Sequence, residues 1–182
     1  EAEFLALCER YHNLEVWTDK TATVELPFVH GEAETFGFPQ AELLAKKVRQ
    51  DLSLGAQPAL ALLRELEEDC GLKLFHLDFE PTGTAACALS PTFGAAILLN
   101  AKNARWRRNF DLAHELFHLL TWNVFNPPGG NAGEHPAREE KLADSFASNL
   151  LMPEESVRAS VNARMRDHKL PLDAVFEIAR QF

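Results

Sequence analysis

The sequence predicts an α+β fold in which a small antiparallel sheet packs against helices. Apolar residues recur at helical spacing towards both ends of the chain, whereas residues 72–99 consist of short runs rich in β-forming residues. Helices, strands and helices in separate blocks are typical of this class. The chain has 182 residues, of which 46% are hydrophobic and 25% charged, so it can form a hydrophobic core of its own.

The first half of the chain is predicted to be mainly helical. The helices expected there span residues 1–14, 41–52 and 58–70. Gly55 closes the second of them, Pro58 begins the third and Gly71 ends it. Residues 21–29 have alternating, β-branched character and predict a strand between the first two helices.

The middle of the chain predicts three strands, and the remainder is helical again. The strands are expected over residues 72–79, 84–89 and 95–99. Asn100 or Asn103 can cap the helix that follows, because its side-chain oxygen can accept a bond from an N–H of the first turn. A loop over residues 126–135, rich in Gly and Pro, leads to a helix over residues 137–152, and two shorter helical patterns complete the chain.

Charge and cysteine usage limit the classes of function. A net charge of −9 disfavours nonspecific nucleic-acid binding, which needs clustered Lys and Arg. The basic run over residues 102–108 is interpreted as a solvated helix face, with a clamp for an acidic substrate stretch as the alternative. No apolar run approaches the roughly 20 residues that span a bilayer, so no membrane association is expected. Three scattered cysteines without C-x-x-C spacing predict reduced thiols and a cytoplasmic protein.

Residues 114–118 read His-Glu-Leu-Phe-His and lie in an amphipathic helical pattern. Two histidines four positions apart project from one helix face, about 40° apart around the axis, so both rings can reach one cation. Zinc suits nitrogen ligands in a tetrahedral site. Glu115 lies about 100° around the helix from His114, where its carboxylate can take a proton from a zinc-activated water without binding the metal. The pattern predicts a hydrolytic zinc site on a helix.

A third protein ligand is expected from the helix over residues 137–152. Glu139 and Glu140 both lie near the edge of its apolar stripe, so periodicity does not choose between them. Asp144 lies one turn after Glu140 and could accept the second ring N–H of a ligating histidine. His135 is the rival third ligand, which would make a site of three histidines.

Two segments carry a resemblance to a known family. Residues 107–120 read RRNFDLAHELFHLL, and residues 140–153 read EKLADSFASNLLMP. Together with residues 94–100, a predicted strand ending in Asn, they resemble the ImmA/IrrE family of metallopeptidase domains, and the resemblance is best over residues 41–182. Residues 4–11 look like the segment that leaves a helix-turn-helix DNA-binding domain in such proteins.

The resemblance implies a zincin-like fold, with His114, His118 and Glu140 as metal ligands and Glu115 as the general base. It favours Glu140 over Glu139, and it implies Zn²⁺ as the cofactor, with Mn²⁺ as the alternative. It also implies two regions: an N-terminal helix and strand over residues 1–40, interpreted as a linker from a DNA-binding domain, and a metallopeptidase domain over residues 41–182. The chain starts without Met and stops within a helical pattern, so both edges are expected to be boundaries within a larger polypeptide.

The function that the resemblance implies is an endopeptidase of bacteria or phages that cleaves a transcriptional repressor or another regulatory protein. DNA would be contacted only through a domain outside this chain. The alternative is a regulatory domain that senses a metal or ligand without hydrolysis and controls an attached helix-turn-helix module. Two residues depart from the family pattern: Phe117 stands where the family usually has Gly, and Asp111 where it commonly has Thr. We expect Phe117 to need room against the sheet, and Asp111 to add negative potential near the metal or to bind a neighbour.

Overall fold

The computed structural model describes residues 2–21, 23–81, 84–127 and 136–182. Within them it contains eight α-helices, a single π-helical turn and one three-stranded sheet, which confirms the α+β class. The helices are α1 (Ala2–Trp17), α2 (Phe38–Asp51), α3 (Pro58–Arg64), α4 (Arg105–Leu120), α5 (Trp122–Phe125), α6 (Pro136–Leu151), α7 (Glu154–Arg164) and α8 (Leu172–Gln181). The strands are β1 (Lys73–Leu77), β2 (Ala85–Ser90) and β3 (Gly94–Asn100), and the π-helical turn Glu65–Asp69 continues α3.

The sheet is mixed, so the prediction of an antiparallel sheet is wrong for one of its two strand pairs. β2 and β3 form an antiparallel hairpin, whereas β1 pairs with β3 in parallel, giving the order β1-β3-β2. The chain reverses direction once between β1 and β2 and once more in the hairpin, so β1 and β3 run the same way. The alternation of residues that predicts a strand does not determine the direction of its neighbour, so the parallel pairing of β1 with β3 had no signal in the sequence.

The predicted strand over residues 21–29 is absent from the described part of that segment. The backbone N–H of Glu25 donates to the carbonyl of Cys70 (3.0 Å), and that of Val29 donates to the carbonyl of Leu120 (2.8 Å). Pro27 has no N–H to offer to a strand ladder. Residues 24–37, which we call the strap, therefore bond to the ends of helices rather than along a sheet edge, and they include a turn at residues 33–35.

The two faces of the sheet are covered by different helices. Successive strand residues point to opposite faces. In β3, Ile97 packs into the main core with α4 and α6, whereas its neighbour Ala96 belongs to a second cluster with Phe4 and Cys8 of α1. α1 thus covers the face opposite α4. No helix of the described ranges is long and apolar enough to cross a membrane.

The helices that carry the motif residues are positioned by their apolar faces. α4 packs on β2 and β3, and α6 packs against both α2 and α4. Neither predicted asparagine caps α4: Ala104 is the N-cap, without a side-chain bond. The Asn100 amide instead donates to the carbonyl of Phe79 (2.8 Å), because it is buried at the end of β3, and Asn103 binds Asp111 (2.9 Å).

Candidate metal centre

The two histidines of α4 face α6 with their rings converging. The Nε2 atoms of His114 and His118 lie 3.2 Å apart. The opposite face of α4 is buried in the core through Leu112, Ala113, Leu116, Leu119 and Leu120. That packing leaves the histidines at the edge of the helix interface, where their side chains are only about 15% exposed.

Glu140 of α6 completes the cluster. Its Oε2 lies 3.2 Å from Nε2 of His114, and its Oε1 lies 3.5 Å from Nε2 of His118. The ligand atoms of His114, His118 and Glu140 all lie within 4.8 Å of one another. Of the two glutamates that periodicity left open, the structure therefore brings Glu140 to the point where the histidines meet.

The spacing of the two histidine nitrogens and the donor set around them fit a tetrahedral zinc ion. With bonds of about 2.0–2.1 Å, two ligands of a tetrahedral ion lie about 3.3–3.4 Å apart. The two Nε2 atoms are 3.2 Å apart. Glu140 approaches them through different oxygens, Oε2 for His114 and Oε1 for His118, and one ligand atom from each of the three residues lies within 4.8 Å of the others. Two imidazole nitrogens and one carboxylate also form a donor set that zinc accepts, and they leave a fourth position for water or substrate. The residues present therefore fit the metal that the motif predicts.

Each histidine has a second carboxylate on its Nδ1 atom. Asp144 lies 3.0 Å from Nδ1 of His114, in the position predicted from the sequence. Glu139 lies 2.8 Å from Nδ1 of His118, a contact that sequence reasoning missed by weighing Glu139 only as a metal ligand. Such partners fix the ring orientation of a ligating histidine. If Asp144 serves one histidine, the other histidine also needs an acceptor for its second ring N–H. That requirement was the signal that could have identified Glu139.

Glu115 lies in a buried environment beside the histidines. Burial raises its pKa, and the charge of His118 and a hydrogen bond from the Cys87 thiol oppose this shift only in part. The pKa of Cys87 is raised too, by burial and by the Glu115 carboxylate. Cys87 lies on β2, and sequence reasoning treated it only as an inert thiol. Nothing in the local sequence around Cys87 indicates that β2 brings it to Glu115.

The protonation of His118 is coupled to the carboxylates around it. Burial opposes its charged form, but the hydrogen bond with Glu139 and the charges of Glu115, Glu139 and Glu140 outweigh this effect and raise its pKa. Without a bound cation, the site thus favours a proton on His118. A divalent cation would replace that proton as the positive charge among these carboxylates.

Comparison with known families supports this reading of the geometry. The family model described as Peptidase_M78, IrrE N-terminal-like domain, matches residues 67–182, well over half of the chain. The chain belongs to this family. The matched range contains the whole sheet, α4 and α6, and therefore His114, His118 and Glu140. A comparison with curated proteins finds no match.

In this M78 domain, a cleft of about 490 Å³ opens beside the cluster. Its lining comprises Thr84, Ala85, Arg107, Phe110, Asp111, His114, Glu115, Glu140 and Asp144. The cleft therefore runs from the start of β2 to the candidate ligands.

Asp111, one of the departures from the family pattern, is held by its neighbours. Its carboxylate pairs with Nε of Arg107 (2.8 Å) and accepts a hydrogen bond from Asn103 (2.9 Å). Burial raises the pKa of Asp111, and the charge of Arg107 and the bond from Asn103 work against that shift. Of the two roles expected for Asp111, binding a neighbour is therefore the one that the structure shows.

Phe117, the other departure, is fully buried. Its ring meets those of Phe36 (5.9 Å between centroids), Phe125 (6.2 Å) and Phe146 (5.6 Å). These neighbours come from the strap, α5 and α6, so the aromatic surroundings of Phe117 lie away from the expected sheet.

The rival ligand His135 and most of the 126–135 loop lie outside the described residues.

Proposed function

We propose that the chain is a zinc-dependent endopeptidase in which His114, His118 and Glu140 bind the metal and Glu115 is the general base. The observation that carries this proposal is the convergence of two imidazole nitrogens and the Glu140 carboxylate, whose ligand atoms lie within 4.8 Å of one another, with Glu115 next to them. Membership in the M78 peptidase family supports the reaction class. Manganese is the alternative metal.

The residues of the site divide the chemistry among them. A zinc ion held here would polarise the scissile carbonyl and make a water easier to deprotonate. Glu115 takes the proton from the attacking water and later donates it to the leaving amine. In the metal-free site burial raises the pKa of Glu115, and the charge of a bound cation would act on that pKa in the opposite direction. Glu139 and Asp144 hold the rings of His118 and His114 in their ligating orientations.

The substrate we propose is a regulatory protein, with a transcriptional repressor as the first choice. The support comes from the resemblance of residues 107–120 and 140–153 to ImmA/IrrE domains, and from a cleft open enough for an extended segment. DNA contact would belong to a domain outside this chain, with residues 1–40 as the linker from it. The cysteines of the described ranges are unpaired, which supports a cytoplasmic setting.

The test compares wild-type protein with Glu115→Gln, both loaded with zinc or with manganese, on purified candidate repressors. Wild type should cut at a single site, and Glu115→Gln should lose at least about 100-fold in rate, as expected for loss of a general base. Metal content is measured on both proteins and on His114→Ala, which should lose its zinc. Equal cleavage by Glu115→Gln would contradict the assigned base. Zinc retention without any cleavage would favour the non-hydrolytic sensor instead.

A further inference from the structure

The first turns of α6 carry Glu139 and Glu140 but lack apolar anchoring. The buried residues of α6 begin at Leu142, and none of residues 136–141 is buried. Hydrophobic packing therefore fixes the later part of the helix and leaves its start to polar contacts. Any displacement there moves the candidate ligand Glu140 relative to the histidines of α4.

One polar contact at this start is independent of the metal cluster. The Arg138 guanidinium donates to three backbone carbonyls of the strap, those of Ala33 (2.9 Å), Glu34 (3.3 Å) and Phe36 (2.6 Å). The acceptors belong to one tight turn, closed by a bond from the Phe36 N–H to the Ala33 carbonyl (3.3 Å). Hydrogen bonds from a charged donor are stronger than neutral ones, and a planar guanidinium loses little freedom in making several.

The strap that receives these bonds is itself attached to α4. The Phe36 side chain is buried, and its ring packs against that of Phe117 with 5.9 Å between centroids. Phe117 directly precedes His118 in the sequence. The Val29 N–H donates to the carbonyl of Leu120, the last residue of α4. The strap thus forms a continuous connection from the histidine-bearing helix to the start of α6.

We propose that Arg138 is a positioning residue, which holds the first turn of α6 at the distance from α4 that metal binding requires. This inference rests on the proposed metal site and adds a residue that contacts neither metal nor substrate. A preformed site binds its metal more tightly, because the ligands need not be ordered at the moment of binding. Losing Arg138 should therefore weaken metal binding, although all three ligands and the Nδ1 partners of the two histidines remain.

The experiment measures the zinc dissociation constant by competition with a chromogenic chelator, which needs no substrate. Arg138→Ala should bind zinc about 10-fold or more weakly than wild type, the range seen when outer partners of metal ligands are removed. Arg138→Lys keeps the positive charge but can make fewer hydrogen bonds to the strap. Its zinc affinity should therefore lie between that of wild type and that of Arg138→Ala. The matched control is Arg49→Ala, which removes a 2.8 Å bond to the Asn149 carbonyl at the other end of α6 and should leave zinc affinity within about 2-fold of wild type.

Hydrogen exchange in EDTA supplies a readout that a general loss of stability would not reproduce. Arg138→Ala should accelerate exchange in residues 136–141 more than in residues 145–151, and Arg49→Ala should not show this pattern. Wild-type affinity in Arg138→Ala, or an equal loss in Arg49→Ala, would overturn the inference. If Arg138→Ala fails to fold by circular dichroism, the Arg138→Lys affinity and exchange decide the question. A wild type that binds no zinc would instead overturn the proposed function.

Discussion

At the scale of single residues, the two histidines have partners of unequal burial. The carboxylate on His118 belongs to Glu139, which is 14% exposed, whereas the one on His114 belongs to Asp144, which is 59% exposed. A hydrogen bond in a low-dielectric environment is electrostatically stronger than one in water. We therefore expect Glu139 to matter more for metal binding, although only Asp144 could be assigned its position from the sequence.

This difference predicts unequal effects of two neutralising substitutions. Glu139→Gln should weaken zinc binding by about 10- to 100-fold, and Asp144→Asn should lie at or below the lower end of that range. Competition titrations with a chelator measure both, and Asp173→Asn, an exposed acid on α8, is the control for lost charge. Equal losses in the two variants, or the larger loss in Asp144→Asn, would contradict the argument from burial.

The metal-free site should make stability depend on pH. The pKa of His118 is raised above its ordinary value of 6.5, so its contribution is fully present below about pH 6.5 and is lost as the pH rises through the folded-state pKa. Burial also raises the pKa of Glu115 above 4.5. The stability contributed by its protonated form is therefore also lost as the pH rises, from 4.5 through the folded-state pKa. In EDTA, Tm should therefore be higher at pH 6 than at pH 8.

Differential scanning calorimetry with excess chelator measures this dependence. Glu139→Gln keeps an oxygen that can accept the bond from His118 but removes the negative charge that favours the charged form of the ring, so it should reduce the difference in Tm between pH 6 and pH 8. A wild-type Tm that is equal at both pH values, or higher at pH 8, would show that folding does not raise the pKa of His118.

How far the sequence predicts this site depends on whether contacts are local. His114, Glu115 and His118 lie within five positions on one helix, so helix geometry alone relates them. Glu140 could be selected only through the family resemblance, because periodicity leaves the rotation and translation of α6 against α4 undetermined. The Cys87 contact with Glu115 joins two elements whose relative position is set by tertiary packing, and it could not be predicted.

At the scale of elements, the helices were predictable because their apolar stripes are long. α4 and α6 are each sixteen residues long and place their buried residues on one face of their later turns, over residues 111–120 and 142–151, so the pattern identifies both elements and their inner sides. The apolar pattern of the strap is too short to identify its secondary structure. Its alternation of Val24, Leu26 and Phe28 is that of a strand, yet its backbone bonds go to helix ends. Nor could alternation determine whether β1 runs parallel to its partner.

Phe117 provides a test of how α4, α5, α6 and the strap are held together. Its ring is completely buried among three other Phe rings, so Phe117→Ala leaves a large cavity and should lower the free energy of unfolding by about 3–5 kcal/mol. Urea unfolding of the protein in the presence of a chelator measures this change. Phe176→Ala, at a position 58% exposed on α8, is the control and should change stability by less than about 0.5 kcal/mol. A loss below about 1 kcal/mol in Phe117→Ala would contradict the observed packing.

At the scale of the whole molecule, the sheet separates two regions of the fold. One face supports α4 and, through it, the candidate metal centre; the other is covered by α1. α1 is attached by the apolar residues Phe4 and Cys8 and by an ion pair between Glu15 and Lys73 of β1, with Nζ and Oε2 2.9 Å apart. The side chains of this pair are 12% and 3% exposed, so both charges have lost most of their water.

This separation predicts that breaking the ion pair destabilises the fold without changing the metal site. Glu15→Gln leaves the Lys73 ammonium buried without its counter-charge and should lower the free energy of unfolding by about 3–5 kcal/mol. The double variant Glu15→Gln/Lys73→Met removes both charges while nearly keeping volume, so it should regain most of that loss. Urea unfolding in EDTA gives both values.

The matched control is Asp51→Asn, which breaks the exposed pair between Lys47 and Asp51 on α2 and should change stability by less than about 1 kcal/mol. Zinc affinity should stay at the wild-type value in all three variants, provided that it is measured where each remains folded, because the sheet lies between α1 and the ligands. A double variant no more stable than Glu15→Gln would show that the loss comes from packing rather than from an unpaired charge. A change in zinc affinity would show that α1 and the metal centre are coupled across the sheet.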